Sequence, residues 1–182
     1  MKDTKAWIDF ILDKTGLETL SYVGHSQGTT QMFLAGSLDP AYFKQKVNLF
    51  VALAPVGTTA SISNPLLKFA SDHIDLFTDT IVGEMKQYNW FPNNEEGTAA
   101  IEAVCALAKG LCTSLADFFV DETVDNVPRF AVGVPSTPSG ASYRTFVYYA
   151  QAIRTGNFTL YDYGSTANYK IYGSTEAPPV PL

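Results

Sequence analysis

The segment Gly24-His25-Ser26-Gln27-Gly28 constrains this chain more than any other. It lies between a strand-like run from Glu18 to Val23 and a helix-like stretch carrying Thr30, Met32, Phe33 and Ala35 without a proline. A serine flanked two places away by glycines, where a strand hands over to a helix, is the pattern of a nucleophile elbow. The turn is so tight that side chains at those two places would clash, which is why glycine fills both. The serine is forced into a backbone conformation that costs roughly 1–3 kcal/mol. Its hydroxyl then stands exposed at a helix N-terminus, where the N–H of Gln27 can donate to a developing oxyanion. Ser26 is therefore the candidate nucleophile and Gln27 the candidate oxyanion donor, with Gly24, His25 and Gly28 shaping the elbow.

Around this motif the chain divides into three parts. In residues 1–56, Asp3 reads as an N-cap and Gly16 as a C-terminal stop for a helix whose Ile8, Ile11, Leu12 and Thr15 share a face. A strand near Thr19 to Val23 leads into the elbow and a helix to Leu38, broken by Asp39-Pro40. Val47 to Ala54 is almost continuously apolar, as a parallel strand covered on both faces should be. Strand, helix and strand make a βαβ unit, so the class is α/β. Residues 57–156 read as mostly helical. An amphipathic helix spans Leu66 to Phe77, an Ala-rich one spans Thr98 to Leu115 with a break at Gly110, and an aromatic-rich one spans Tyr143 to Thr155 and stops at Gly156. The only strand-like pattern there is Arg129 to Val132. Residues 157–182 are polar and turn-rich and read as a connector toward a strand outside the chain.

Composition excludes several classes. The chain has 182 residues, 46% of them hydrophobic, enough for one domain with a core and unlike a disordered segment. No apolar run reaches the ~18 residues of a membrane span, and the N-terminus opens an amphipathic helix rather than a signal peptide. The net charge is −6 and the 12 lysines and arginines are scattered, which argues against a nucleic-acid partner. Cys105 and Cys112 fit no zinc or redox spacing; they are either two small buried hydrophobes or one short-loop disulfide. Asn157-Phe158-Thr159 is a candidate N-glycosylation triplet. No metal or organic cofactor is implied.

Further segments carry a resemblance. Trp7 to Gly16, Tyr22 to Thr30 and Ala52 to Val56, followed in order by Leu66-Leu67-Lys68, Ser139 to Ser142 and Tyr161 to Ser165, resemble the acid lipase family. This is the α/β-hydrolase family of gastric lipase and lysosomal acid lipase. The resemblance implies a serine hydrolase acting on triacylglycerols or sterol esters at a lipid–water interface, with a helical cap over residues 57–156. It also implies a secreted or lysosomal parent. A cysteine pair in this part of the family's cap favours a Cys105–Cys112 bridge, worth about 2–3 kcal/mol. One departure is Ser136, where the resembling lipases tend to carry a histidine.

A serine hydroxyl needs a base, usually histidine, and a carboxylate to orient it, in the chain order Ser, Asp, His. The chain has two histidines. His25 leaves the elbow in another direction and reads as a packing residue. His73, near Asp72 and Asp75, reads as a solvated helix-face residue. The family's Asp and His lie on strands beyond Leu182, and its second oxyanion donor lies before Met1. The expectation is an incomplete α/β-hydrolase sheet with exposed apolar edges, and a chain inactive alone, since loss of the base typically costs on the order of a millionfold in rate. The competing readings are a non-catalytic lipid-binding or interaction module, and a hydrolase of thioesters or peptides, which use the same elbow.

Overall fold

The computed structural model describes residues 2–90, 92, 94 and 139–181. The expected helix at Thr98 to Leu115, the strand at Arg129 to Val132, Cys105, Cys112 and Ser136 all lie outside the described residues. The chain forms two compact units, residues 1–74 with 147–182 and residues 75–146.

In the first unit, helix α1 (Lys2–Thr15) is followed by strand β1 (Leu20–His25), α2 (Gln27–Leu38), α3 (Pro40–Lys46) and β2 (Val47–Leu53). The two strands pair in parallel, from Leu20 opposite Val47 to His25 opposite Leu53. Ile8 and Leu12 of α1, Met32 and Ala35 of α2 and Phe43 of α3 form the core, against which Leu20, Tyr22, Val47 and Phe50 pack. Spacing by four puts Thr4, Ile8 and Leu12 on the buried stripe. Ile11, expected on that stripe, is 42% exposed, because the neighbours of α1 cover a narrower face than the sequence offers. Asp3 lies inside the first turn rather than at the cap, where its charge complements the helix dipole. Gly16 closes the helix as expected, at φ 68 with its N–H on the Leu12 carbonyl.

Asp39-Pro40 stops α2 and also starts α3, a helix not read from the sequence. The Asp39 carboxylate accepts the Tyr42 N–H at 3.2 Å, and Pro40 supplies the φ of the first helical position. Tyr42 then joins α3 to α1: its hydroxyl donates to Asp9 Oδ1 at 2.8 Å, and the ammonium groups of Lys5 and Lys46 sit 4.8 and 5.0 Å from its ring centroid. Lys46 pairs with Asp9 and Lys5 with Asp39. Hydrogen bonds from these lysines hold both carboxyls below their ordinary value of 3.8, and burial together with the Asp9 contact pushes the Tyr42 phenol up. A depressed carboxyl lends stability that is complete above the unfolded value and lost as pH falls through the folded one. We therefore expect the α1–α3 tie to weaken only below pH 3.8. In urea titrations across the acid range, Asp9→Asn should flatten the fall of the midpoint below that pH. An unchanged profile would show that the pair contributes nothing.

The sheet is incomplete, as expected, but its coverage departs from expectation. All three helices cover one face. On the other, Val23 is 63%, Leu49 54% and Leu53 49% exposed, and among the described residues no third strand joins β1 and β2. Among the described residues the apolar run of β2 is thus covered on one face, with Leu49 and Leu53 exposed on the other.

After β2, the single helix expected over Leu66 to Phe77 is two, α4 (Pro65–Asp72) and α5 (Ile74–Thr78), separated at His73. The expected aromatic-rich helix forms as α6 (Tyr143–Thr155) and ends at Gly156 with φ 67. Its Val147, Ala150 and Ala152 are buried, and Ser71 donates to the Ala150 carbonyl at 2.8 Å. The tail, expected to be a polar, turn-rich connector, contains α7 (Ser165–Tyr172). Thr159 bridges to Pro179, and the fully buried Asn168 binds Tyr163, Asp162 and Thr175 together. In the second unit, β3 (Asn89–Trp90) pairs antiparallel with β4 (Ala141–Ser142), and Trp90 stacks on Phe146.

Candidate active site

Ser26 stands between the last residue of β1 and the first of α2, at φ 49 and ψ −113. For a residue with a Cβ this is the left-handed region, the strained backbone that the elbow pattern requires. Its N–H extends the parallel ladder by donating to the Leu53 carbonyl at 3.0 Å, and its carbonyl accepts the Thr29 N–H at 2.9 Å. A serine before a helix usually turns its hydroxyl back to cap the first turn. Ser26 does not; its side chain makes no capping bond, and the residue is exposed. Gln27 opens α2, so its N–H belongs to the first turn, where backbone donors point along the axis.

The two elbow glycines are not equivalent. A Cβ on Gly24 would lie 2.9 Å from the carbonyl carbon and oxygen of Gly28 and 3.0 Å from Thr29 N. A Cβ on Gly28 would meet only the Tyr22 hydroxyl, at 3.9 Å. The expectation that both positions exclude side chains therefore holds for Gly24 and fails for Gly28. The close approach is between the Gly24 Cα and the backbone of the first helical turn, and that pairing is relieved from one side only.

His25 is exposed, not packed as expected. It shares the uncovered face of β1 with Ser21 and Val23, by the two-residue alternation of a strand. His73 is also exposed, with Nδ1 2.9 Å from the Phe69 carbonyl and its ring stacked on Phe69 at 4.2 Å. Among the described residues neither imidazole is hydrogen-bonded to Ser26. A groove of about 510 Å³ runs between α1 and β1, lined by Trp7, Ile11, Tyr22 and Val23, and Ser26 is not part of it. Asn157 is exposed in the bend after Gly156. No cluster of three His, Cys, Asp or Glu side chains able to hold a metal occurs among the described residues, and none of the described helices is long and apolar enough to cross a membrane.

Several residues that sequence reasoning missed brace the elbow. Thr29, with no exposed surface, donates its hydroxyl to the Ser26 carbonyl at 2.6 Å and accepts the Val56 N–H at 2.9 Å. Thr30 donates to the Val56 carbonyl at 2.8 Å and lies 3.1 Å from the Tyr149 hydroxyl on α6. Burial raises the Tyr149 phenol, so it stays protonated. Tyr22 donates to the Gly28 carbonyl at 3.1 Å. Ala54, two residues before Val56, is itself at φ 45. The available signal was the Thr29-Thr30 pair: β-branched hydroxyl residues in the first turn of a helix bring little propensity and need another reason to be there.

A strand ending in a strained, exposed serine whose turn closes on a helix start is the nucleophile geometry of the α/β-hydrolase fold. Residues 1–121 match the family model for that fold, and the chain belongs to the family. Within it, the chain is 35% identical over 181 residues to the lipase lipl-1 of Caenorhabditis elegans, covering 97% of this chain and 44% of that protein. It is 35% identical to the gastric triacylglycerol lipase of Rattus norvegicus over 97% of this chain and 45% of the relative. It is 34% identical over 182 residues to the human lysosomal acid lipase/cholesteryl ester hydrolase, again covering 97% of this chain and 44% of the relative. The acid lipase resemblance thus runs through nearly the whole chain. The chain spans less than half the length of these lipases.

Proposed function

We propose that this chain carries the nucleophile segment of a serine ester hydrolase of the acid lipase type, acting on triacylglycerols or sterol esters. The observation that carries the proposal is Ser26, held at φ 49 with its hydroxyl not used for capping and the residue exposed. Ser26 Oγ attacks the ester carbonyl, and the Gln27 N–H donates to the oxygen as it becomes negative. The alcohol leaves with the proton taken from Ser26, and water releases the acyl group by the reverse exchange. In this proposal the imidazole and its carboxylate are supplied by another segment of polypeptide, as neither His25 nor His73 is hydrogen-bonded to Ser26 among the described residues. On this reading the chain alone hydrolyses no ester.

The same reading assigns residues 57–156 to a cap that selects the acyl chain and excludes water, with a Cys105–Cys112 bridge within it. The lipid–water interface is the partner, the parent enters the secretory pathway, and Asn157 carries a glycan. A fluorophosphonate probe tests the central claim. In a polypeptide extended to the relatives' full length it should label Ser26, and Ser26→Ala should abolish labelling. Labelling that survives the substitution would sink the assignment. A second reading is a lipid-binding module without turnover, favoured by neither imidazole being hydrogen-bonded to Ser26 among the described residues. It gains if the longest natural transcript encodes no Asp followed by His downstream and the purified chain still binds triolein emulsions.

A further inference from the structure

We propose that Thr29 and Thr30 are positioning residues that fix Ser26 through the backbone of Val56. The inference rests on Ser26 being the nucleophile, but its test does not.

Donor and acceptor assignments leave one consistent arrangement. The Thr29 hydroxyl gives its proton to the Ser26 carbonyl at 2.6 Å, so its lone pair takes the Val56 N–H at 2.9 Å. The Thr30 hydroxyl gives its proton to the Val56 carbonyl at 2.8 Å, which makes the protonated Tyr149 phenol its donor at 3.1 Å. Both backbone groups of Val56 are therefore held by adjacent side chains of α2. The Ser26 N–H is held by Leu53 at 3.0 Å. The residues between these anchor points include the non-glycine positive φ values of the elbow and of the segment after β2, Ser26 at 49 and Ala54 at 45. Each strained turn is tied to the other. Ser26 cannot relax toward ordinary extended or helical backbone without breaking the Thr29 bond, and Ala54 cannot relax without pulling Val56 from both threonines. Thr29 and Thr30 are 0% and 3% exposed, so no water is at hand to replace either bond. Valine, nearly isosteric with threonine, would fill the same space and supply neither bond.

The test uses the isotope-labelled chain and needs neither a base nor an ester. Positive φ brings Hα and HN of one residue close and gives an intense intraresidue cross-peak at Ser26 and Ala54. Thr29→Val should abolish this signature at Ser26 while the β1–β2 amides stay protected from exchange. Thr29→Ser, which keeps the hydroxyl, should retain it. A folded Thr29→Val that keeps the Ser26 signature overturns the proposal. If Thr29→Val does not fold, Thr30→Val decides by the same reading at Ala54: loss supports the clamp and retention overturns it. Failure of the probe labelling above with the signatures intact would instead remove the catalytic reading and leave the clamp standing.

Discussion

Gly24→Ala should collapse the elbow, while Gly28→Ala leaves it standing. The atoms a Gly24 methyl would strike are the carbonyl carbon and oxygen of Gly28 at 2.9 Å and Thr29 N at 3.0 Å, all backbone. No rotamer change can move them; α2 would have to retreat from β1 as a whole. Forced overpacking of this kind costs about 1–3 kcal/mol or more. The displacement falls on Ser26 and on the Thr29 bonds that hold it, so geometry should be lost beyond what stability alone records. At Gly28 the same methyl meets only the Tyr22 hydroxyl at 3.9 Å, ordinary contact. Gly28 lies in a helix, where alanine is favoured over glycine by about 0.5–1 kcal/mol. Gly28→Ala should therefore be neutral or mildly stabilising. Thermal melting of the two variants decides: equal damage from both would mean that the approach is symmetric and the geometry described is wrong. In the full-length polypeptide, Gly24→Ala should also lose fluorophosphonate labelling and Gly28→Ala should keep it.

That asymmetry shows how far local sequence reaches. The strand, elbow, helix and second strand were legible because each rests on neighbours in the chain: a glycine-framed serine, an apolar run, a proline stop. The direction of the close approach was not, because the motif spells both glycines alike and only the crossing of β1 over α2 separates them. Asp39-Pro40 was legible as an end and not as a beginning, since the same carboxylate that terminates α2 caps α3 through Tyr42. His25 was expected to pack because its side chain leaves the elbow in a different direction from the nucleophile, and that direction does not say whether anything covers it. The exposed Val23, Leu49 and Leu53 show one face bare among the described residues, and His25 stands on it. The bracing of Ser26 was invisible for another reason. Thr30 and Tyr149 are 119 positions apart, and no periodicity reports a bond of that span.

Asn168→Ala should be among the most damaging substitutions outside the elbow, although no motif marks the position. Helix α7 has no apolar stripe to explain it; its one buried residue is Asn168, 1% exposed. The Tyr163 N–H needs an acceptor, which fixes the amide orientation: Oδ1 takes that N–H at 2.9 Å, and Nδ2 donates to Asp162 Oδ1 at 2.7 Å and to the Thr175 carbonyl at 3.2 Å. One side chain thus joins the turn before α7 to the segment after it. Truncation removes the acceptor of the Tyr163 N–H and the donor of two acceptors, three part-buried hydrogen bonds in all, at about 3 kcal/mol, since each contributes ~0.5–1.5. For a chain of this size that lowers the melting temperature by roughly 6–12 °C. Asn168→Asp separates the roles. The carboxylate keeps an acceptor for Tyr163 but faces Asp162 without a proton to offer, so it should be destabilised at neutral pH. It should recover in part as acid returns a donor to the site. A melting temperature for Asn168→Ala within a degree or two of the parent would show that the tail is held elsewhere.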